Sequence, residues 1–210
     1  TYNRLGILYR NMGKLESSKE YYTKAISIRR EISDKRGEAG SLNNLGSLYQ
    51  LMGDTEKAYD YFVESIKIRE DLGDAKYLSS AVLNLGNWMA RSSRYDSAMV
   101  YYTRYKLIQE ELGDSLALAR VIRNIGNTYL ERGDYSNSAL GYYDKAIKEY
   151  ETIKNKNSLA IVNESTGLVY VNLEEYQKAL SYFLVSLELF EENNNPRFIS
   201  SAYSNIGSTY

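Results

Sequence analysis

Arginine and asparagine converge at a helical spacing between residues 120 and 127. Arg120, Arg123, Asn124 and Asn127 stand at i, i+3, i+4 and i+7, so a helix through this stretch presents all four on one side. A guanidinium can hold a carboxylate through two parallel N–H donors, and a carboxamide donates and accepts at once. That chemistry is recognition of acidic groups and of peptide backbone. Bond-breaking chemistry has little to work with, because the 210 residues contain no His and no Cys. Ser-His-Asp and Cys-His nucleophiles, zinc fingers, haem ligands and disulfides are excluded, and neither a cofactor nor a bound metal is expected. The adjacent carboxylates Glu110-Glu111, Glu174-Glu175 and Glu191-Glu192 point to different sides of a helix and read as solvated surface rather than acid/base pairs. The chain is not expected to be an enzyme.

Charge narrows the partners further. With 26 Lys and Arg against 27 Asp and Glu, the net charge of -1 makes no general case for nucleic acid or an anionic membrane. The pairs Arg29-Arg30 and Lys35-Arg36 are too short for a nucleic-acid stripe. Membrane insertion is not expected, since the most apolar stretch, Tyr182 to Phe190, is interrupted by Glu188. The sequence opens at Thr1 with neither a start Met nor a basic, apolar leader, which points to a segment of a longer protein. Absent cysteine suits cytoplasm and periplasm alike, the cytoplasm being the simpler reading.

The elements that must position these side chains follow from glycine. Gly6, Gly46, Gly86, Gly126, Gly167 and Gly207 are separated by 40, 40, 40, 41 and 40 residues, usually within Asn-(Leu/Ile)-Gly-x-x-Tyr. A second glycine follows seven residues later at Gly13, Gly53 and Gly133, and Gly73 and Gly113 close the intervening segments. Twelve residues before the five later heart glycines stand Asp34, Asp74, Asp114, Asn155 and Asn195, all good helix N-caps. Between these marks Leu78, Ala81, Val82, Leu85 and Met89 trace one helix face, and Ala98, Tyr102, Tyr105, Ile108 and Leu112 trace another. The spacing predicts an all-α chain in which each unit is a helix A and a helix B of about 18 residues. The unit boundaries fall at 1–33, 34–73, 74–113, 114–154 and 155–194, followed by helix A of a sixth unit at 195–210, all in one domain.

A glycine inside helix A costs about 1 kcal/mol relative to alanine, so its recurrence predicts that helix B crosses there without room for a Cβ. Two antiparallel helices cannot bury both apolar faces alone, and consecutive pairs must stack into a right-handed solenoid. The pairs Tyr21-Tyr22, Tyr61-Phe62, Tyr101-Tyr102, Tyr142-Tyr143 and Tyr182-Phe183 recur in helix B. One ring is expected against its own helix A and the other against the next unit.

These residues resemble the tetratricopeptide repeat. Leu-Gly-x-x-Tyr in helix A, the turns Gly53-Asp54 and Gly133-Asp134, and Ala58, Ala98, Ala139 and Ala179 in helix B match that motif along the whole chain. The unit is longer than the usual 34 residues, as in the long repeats of kinesin light chains and bacterial peptide-pheromone receptors. Ile68-Arg69-Glu70-Asp71-Leu72-Gly73-Asp74, followed by Asn84-Leu85-Gly86, is most similar to arrays of bacterial sensor kinases and transcriptional regulators. The resemblance implies a concave groove lined by helix A, open to a protein or an extended peptide, in a sensory or regulatory module. On that reading the lining includes Arg4, Asn44, Asn84, Asn124, Ser165 and Asn205, with Ser47, Asn87, Asn127 and Ser208 beside them. The amides either hold a peptide backbone or bridge adjacent helices; the sequence leaves both open. Arg120 and Arg123 are the anchors expected for an acidic side chain or a free C-terminus. Arg120 and Asn124, together with Asn84, partly resemble the carboxylate clamp of chaperone-binding members, though Asn43 stands where that clamp has Lys. A scaffold that self-associates through its terminal helices and a small-molecule sensor are the alternative readings.

Two local irregularities carry expectations of their own. The 41-residue spacing places an inserted residue between Asp134 and Tyr142, where Ser136 or Asn137 is expected to cap a late-starting helix. In the fifth unit Asn163 and Thr166 occupy core positions, which marks either a soft hinge or a local hydrogen-bonded arrangement.

Overall fold

The computed structural model describes residues 1–209, the side chains of Ser136 and Asn137 excepted. The described chain forms α1 (Tyr2–Asn11), α2 (Leu15–Glu31), α3 (Lys35–Met52), α4 (Thr55–Asp71), α5 (Ala75–Arg91) and α6 (Tyr95–Leu112). It continues as α7 (Ser115–Arg132), a π-turn (Tyr135–Ala139), α8 (Leu140–Thr152), α9 (Lys156–Asn172), α10 (Tyr176–Glu192) and α11 (Pro196–Thr209), with no strand among the described residues. The all-α architecture expected from the periodicity is present. Odd-numbered helices carry the heart glycines and even-numbered ones the aromatic pairs.

Two compact units are distinguished, Thr1–Trp88 and Met89–Tyr210, with the border inside α5. In the first, α1 packs on α2, α2 on α3 and α3 on α4, and α1 also touches α3. In the second, contacts run from α6 to α7 and so on through α11, with α7 also touching α9. Each helix thus buries its apolar face on its chain neighbours, as stacked repeats require.

Helix starts follow the Asp and Asn caps. The side chains of Asp34, Asp114 and Asn155 accept from the backbone N–H of Gly37, Ala117 and Ser158 at 2.9, 2.9 and 3.0 Å. Helix ends are closed by a residue in the left-handed region. At Gly53 (φ 83°) this lets the Asp54 N–H donate back to Tyr49 O at 3.0 Å. Among the described residues five non-glycine residues take the same conformation, exposed Glu174 at φ 60° being one. An L side chain there costs about 1–2 kcal/mol. Glu174→Gly is therefore expected to raise stability by about 1 kcal/mol, seen as a higher Tm in calorimetry; a lower Tm would contradict this account.

Four of the heart glycines are explained by rings. A Cβ on Gly126 would lie 2.7 Å from the Tyr143 ring, and one on Gly46 would lie 3.0 Å from Phe62. Gly6 and Gly167 are covered in the same way by Tyr22 and Phe183. As expected, the pairs divide their work. The glycine-covering ring also joins the core of the next unit, Tyr22 with Leu42, Leu45 and Leu48 of α3 and Tyr143 with Val162 and Val169 of α9, while the other ring of four pairs stays with its own helix A. Tyr21, Tyr61, Tyr142 and Tyr182 stack on Tyr9, Tyr49, Tyr129 and Tyr170 of their own helix A, with centroids 5.1, 5.4, 5.4 and 5.4 Å apart. The tyrosine three residues beyond the heart glycine lies one turn along the same face, so it meets the neighbouring ring of the same pair. A lysine closes each stack: Lys57 lies 5.3 Å from the Tyr49 centroid and Lys178 5.3 Å from that of Tyr170.

The inserted residue lies where the spacing places it, but it is absorbed differently. The π-turn Tyr135–Ala139 takes one more residue than an α-turn while its backbone stays bonded, Ala139 N–H to Asp134 O at 3.2 Å. Ala139 and Tyr143 therefore stay fully buried. The expected late cap is corrected to an immediate wide turn, in which Ser138 Oγ donates to Asp134 Oδ2 at 2.9 Å. The Ser136 and Asn137 side chains, the candidate caps, lie outside those described.

Asn163 and Thr166 are buried and bonded within their own helix. Asn163 Nδ2 donates to Leu159 O and Thr166 Oγ1 to Val162 O, both at 2.8 Å, and α9 runs unbroken. Satisfied polar groups remove most of the burial penalty, which favours the local reading over the hinge. Amide exchange around Gly167 is expected to be as slow as around Gly126; markedly faster exchange confined to α9 would restore the hinge.

Candidate binding face

The amides two residues before the heart glycine are placed by odd-numbered helices, and most reach back to the preceding one. Asn44 Nδ2 donates to Asn3 Oδ1 at 3.2 Å, where Ser41 Oγ also donates at 3.0 Å. Asn84 Nδ2 faces Asn43 Oδ1 at 3.4 Å, and Asn205 Nδ2 donates to Glu164 Oε1 at 2.7 Å beside Ser201 Oγ at 2.8 Å. Each rung joins the residue two before one heart glycine to the residue three before the preceding one. Asn3 and Glu164 were not singled out from sequence as acceptors. The available signal was a polar residue at that offset, Asn3, Asn43 or Glu164, ahead of a unit that carries Asn; the third unit has Leu83 there although Asn124 follows.

Arg123 breaks the pattern. It occupies the acceptor offset of the fourth unit but carries only donors. The answering position holds Ser165, whose Oγ donates to Ile161 O of its own helix at 3.1 Å. Arg123 makes no hydrogen bond or ion pair with the described residues, and its Nε is buried without a partner. The hydroxyls of Tyr143 and Tyr150 lie within its field: burial pushes both above the usual phenol range, and the guanidinium pulls them partly back. Tyr143 OH donates to Asn127 Oδ1 at 2.7 Å, which leaves the Asn127 amide nitrogen as a donor. Exposed Arg120 lies one turn away on α7, with Nη2 at 3.3 Å from the Tyr105 hydroxyl. Three donor groups of α7, Arg120, Arg123 and Asn127, therefore lie on one face with no carboxylate bonded to them. Asn124 of the same helix is half-buried and has a partner of its own, and Arg4 is exposed on α1. Asn84 and Asn87 belong to the first unit, Asn87 with a partner of its own.

Residues 1–71 match the family model described as tetratricopeptide repeat. Solved structures extend the likeness to the rest. A signal transduction ATPase with numerous domains from Pyrococcus horikoshii, described as having a tetratricopeptide repeat sensor, superposes with a TM-score of 0.84 at 20% identity. The match covers 100% of this chain and 32% of that one. Aspartyl phosphate phosphatase F from Bacillus subtilis gives 0.80 at 18% identity over 93% of this chain and 52% of that one. BtubC from P. vanneervenii gives 0.79 at 19% identity, covering 93% and 83%. The fold is that of a tetratricopeptide repeat array. No curated protein matches the sequence of this array at a significant level. The array spans about a third of the Pyrococcus protein and half of the Bacillus one. Among its described residues no helix is long and apolar enough to cross a membrane, and no group of metal-ligating side chains converges.

Proposed function

We propose that this array is a non-catalytic binding module that seats an acidic side chain or a free C-terminus of a protein or peptide against Arg123, with Arg120 and Asn127 of α7 as further donors. The observation that carries the reading is the bare guanidinium of Arg123, set where the first, second and fifth units hold the acceptors Asn3, Asn43 and Glu164. A buried donor without a partner costs about 1–3 kcal/mol, and a carboxylate would remove that cost through two charge-assisted bonds. The amide rungs support the array more than they support a ligand, because Asn44, Asn84 and Asn205 already donate within it. Affinity then rests on the arginines. The tetratricopeptide sensor of the Pyrococcus ATPase and the likeness to the Bacillus phosphatase support a sensory or regulatory place in a signalling protein.

Arg123→Gln is expected to weaken a partner isolated by affinity capture on the wild-type array by about 1–3 kcal/mol, tenfold or more, while the helical circular dichroism is unchanged. Arg120→Gln should cost less, since its side chain is more exposed. Equal affinity of wild type and Arg123→Gln, measured by calorimetry, would refute the anchor.

A further inference from the structure

Gly37 and Gly40 of α3 lie outside the repeating glycine positions. Gly37 has a structural cause, since a Cβ there would collide with the Asp34 cap and with Arg29. Gly40 has none: a Cβ on it meets no atom within 4 Å. The space belongs to a cavity of about 280 Å³ within the first unit, walled by Arg36 of α3 and by Arg69 at the end of α4. Leu72, Asp74 and Tyr77, around the start of α5, complete the wall.

Arg69 is the unusual member. It is only 8% exposed, its Nε lies 3.2 Å from Ser65 Oγ, and its guanidinium carbon sits 5.5 Å from the centre of the Tyr77 ring. One unit earlier Arg29 holds the same place, but there Nη1 donates to Gly37 O and Ser41 Oγ, both at 2.6 Å. Forty residues on, Tyr77 and Ala81 stand where Gly37 and Ser41 stood, so the hydroxyl acceptor is gone. The Nη groups of Arg69 make no hydrogen bond with the described residues. Asp74 acts on the Arg69 guanidinium electrostatically but makes no hydrogen bond with it; its Oδ2 bonds Arg36 Nε at 3.0 Å. Two arginines against one aspartate leave the cavity with one excess positive charge.

We infer that this cavity binds a single carboxylate carried on a small apolar body. The fork of Arg69 grips the carboxylate through its free Nη donors, and the Tyr77 ring and Leu72 flank the body. The volume sits at the lower end for small-molecule sites, which suits a body of about one amino-acid side chain. A free organic acid and the last residue of a peptide share this chemistry. The site is separate from Arg123 of α7, and neither depends on the other.

The test titrates the full chain with benzoate, N-acetylphenylalanine and the uncharged N-acetylphenylalaninamide, followed by backbone NMR shifts. At least one acid should bind with saturating shifts at residues 36–40 and 69–77, about tenfold or more tightly than the amide. Tighter benzoate binding marks a free acid as the natural source, and tighter N-acetylphenylalanine binding marks a chain terminus. Gly40→Leu fills the cavity while improving helix propensity, so it should fold and lose binding by about tenfold or more. Arg69→Met should lose binding similarly; if it fails to fold, Gly40→Leu alone decides. No acid binding below about 10 mM, equal binding of the amide, or full binding by Gly40→Leu would overturn the inference.

Discussion

Phe183→Ala is expected to cost about 3–5 kcal/mol, the range for removing a buried aromatic from a well-packed core. The ring is 1% exposed and covers Gly167, where a Cβ would overlap it. Gly167→Ala alone should therefore destabilise by about 1–3 kcal/mol through overpacking, even though alanine is the better helix former by about 1 kcal/mol. The two effects cannot add. In Phe183→Ala the hollow left by the ring accepts the new methyl, so the double variant should be no less stable than Phe183→Ala alone. Urea midpoints of the four proteins close the cycle, and additive losses would show that glycine and ring do not share one space. Gly207, whose Cβ would meet no atom within 4 Å, is the control, and Gly207→Ala should be neutral or stabilising.

Glu38→Gln should cost about 2 kcal/mol at neutral pH. The Glu38 side chain is 3% exposed at the start of α3, accepting from Arg30 Nε at 2.6 Å and Lys35 Nζ at 2.9 Å. Arg30 also bonds Glu64 of α4 at 2.6 Å, so one guanidinium ties three successive helices. Both cations are half in water, which keeps the pair below the value of a fully buried one. Burial pushes the Glu38 carboxyl up, but Arg30 and Lys35 outweigh it and hold the group below its ordinary value. A lowered folded pKa means that the unfolded chain binds the proton first. The contribution of Glu38 is thus complete above the ordinary glutamate pKa of about 4.3 and is lost as pH falls through the folded value. The stability gap between wild type and Glu38→Gln should therefore shrink as pH falls below the ordinary glutamate range and vanish once pH is below the lowered folded value. A gap independent of pH would assign the loss to packing.

The helices, their pairing and their caps were legible in the sequence because each depends on near neighbours. A glycine every 40 residues with a ring pair behind it, and Asp34, Asp114 or Asn155 twelve residues before, depend on spacing along one helix, which 3.6 residues per turn dictates. The common face of Arg120, Arg123 and Asn127 on α7 was legible for the same reason.

Their partners were not legible. Whether Asn44 is available or already donates to Asn3, and whether Tyr61 serves its own helix A or the next, depends on the register between helices. No spacing within one helix contains that register, because it is set by how the rings seat on the heart glycines. The π-turn at Tyr135–Ala139 is a similar case: the extra residue is counted in the sequence, but the wide turn wins only because burial of Ala139 and Tyr143 holds the register on both sides. The acceptor missing beside Arg123 and the open space over Gly40 are the clearest instances. Both are absences produced by neighbouring helices, and only the packed structure, where every donor and every volume is assigned at once, decides them.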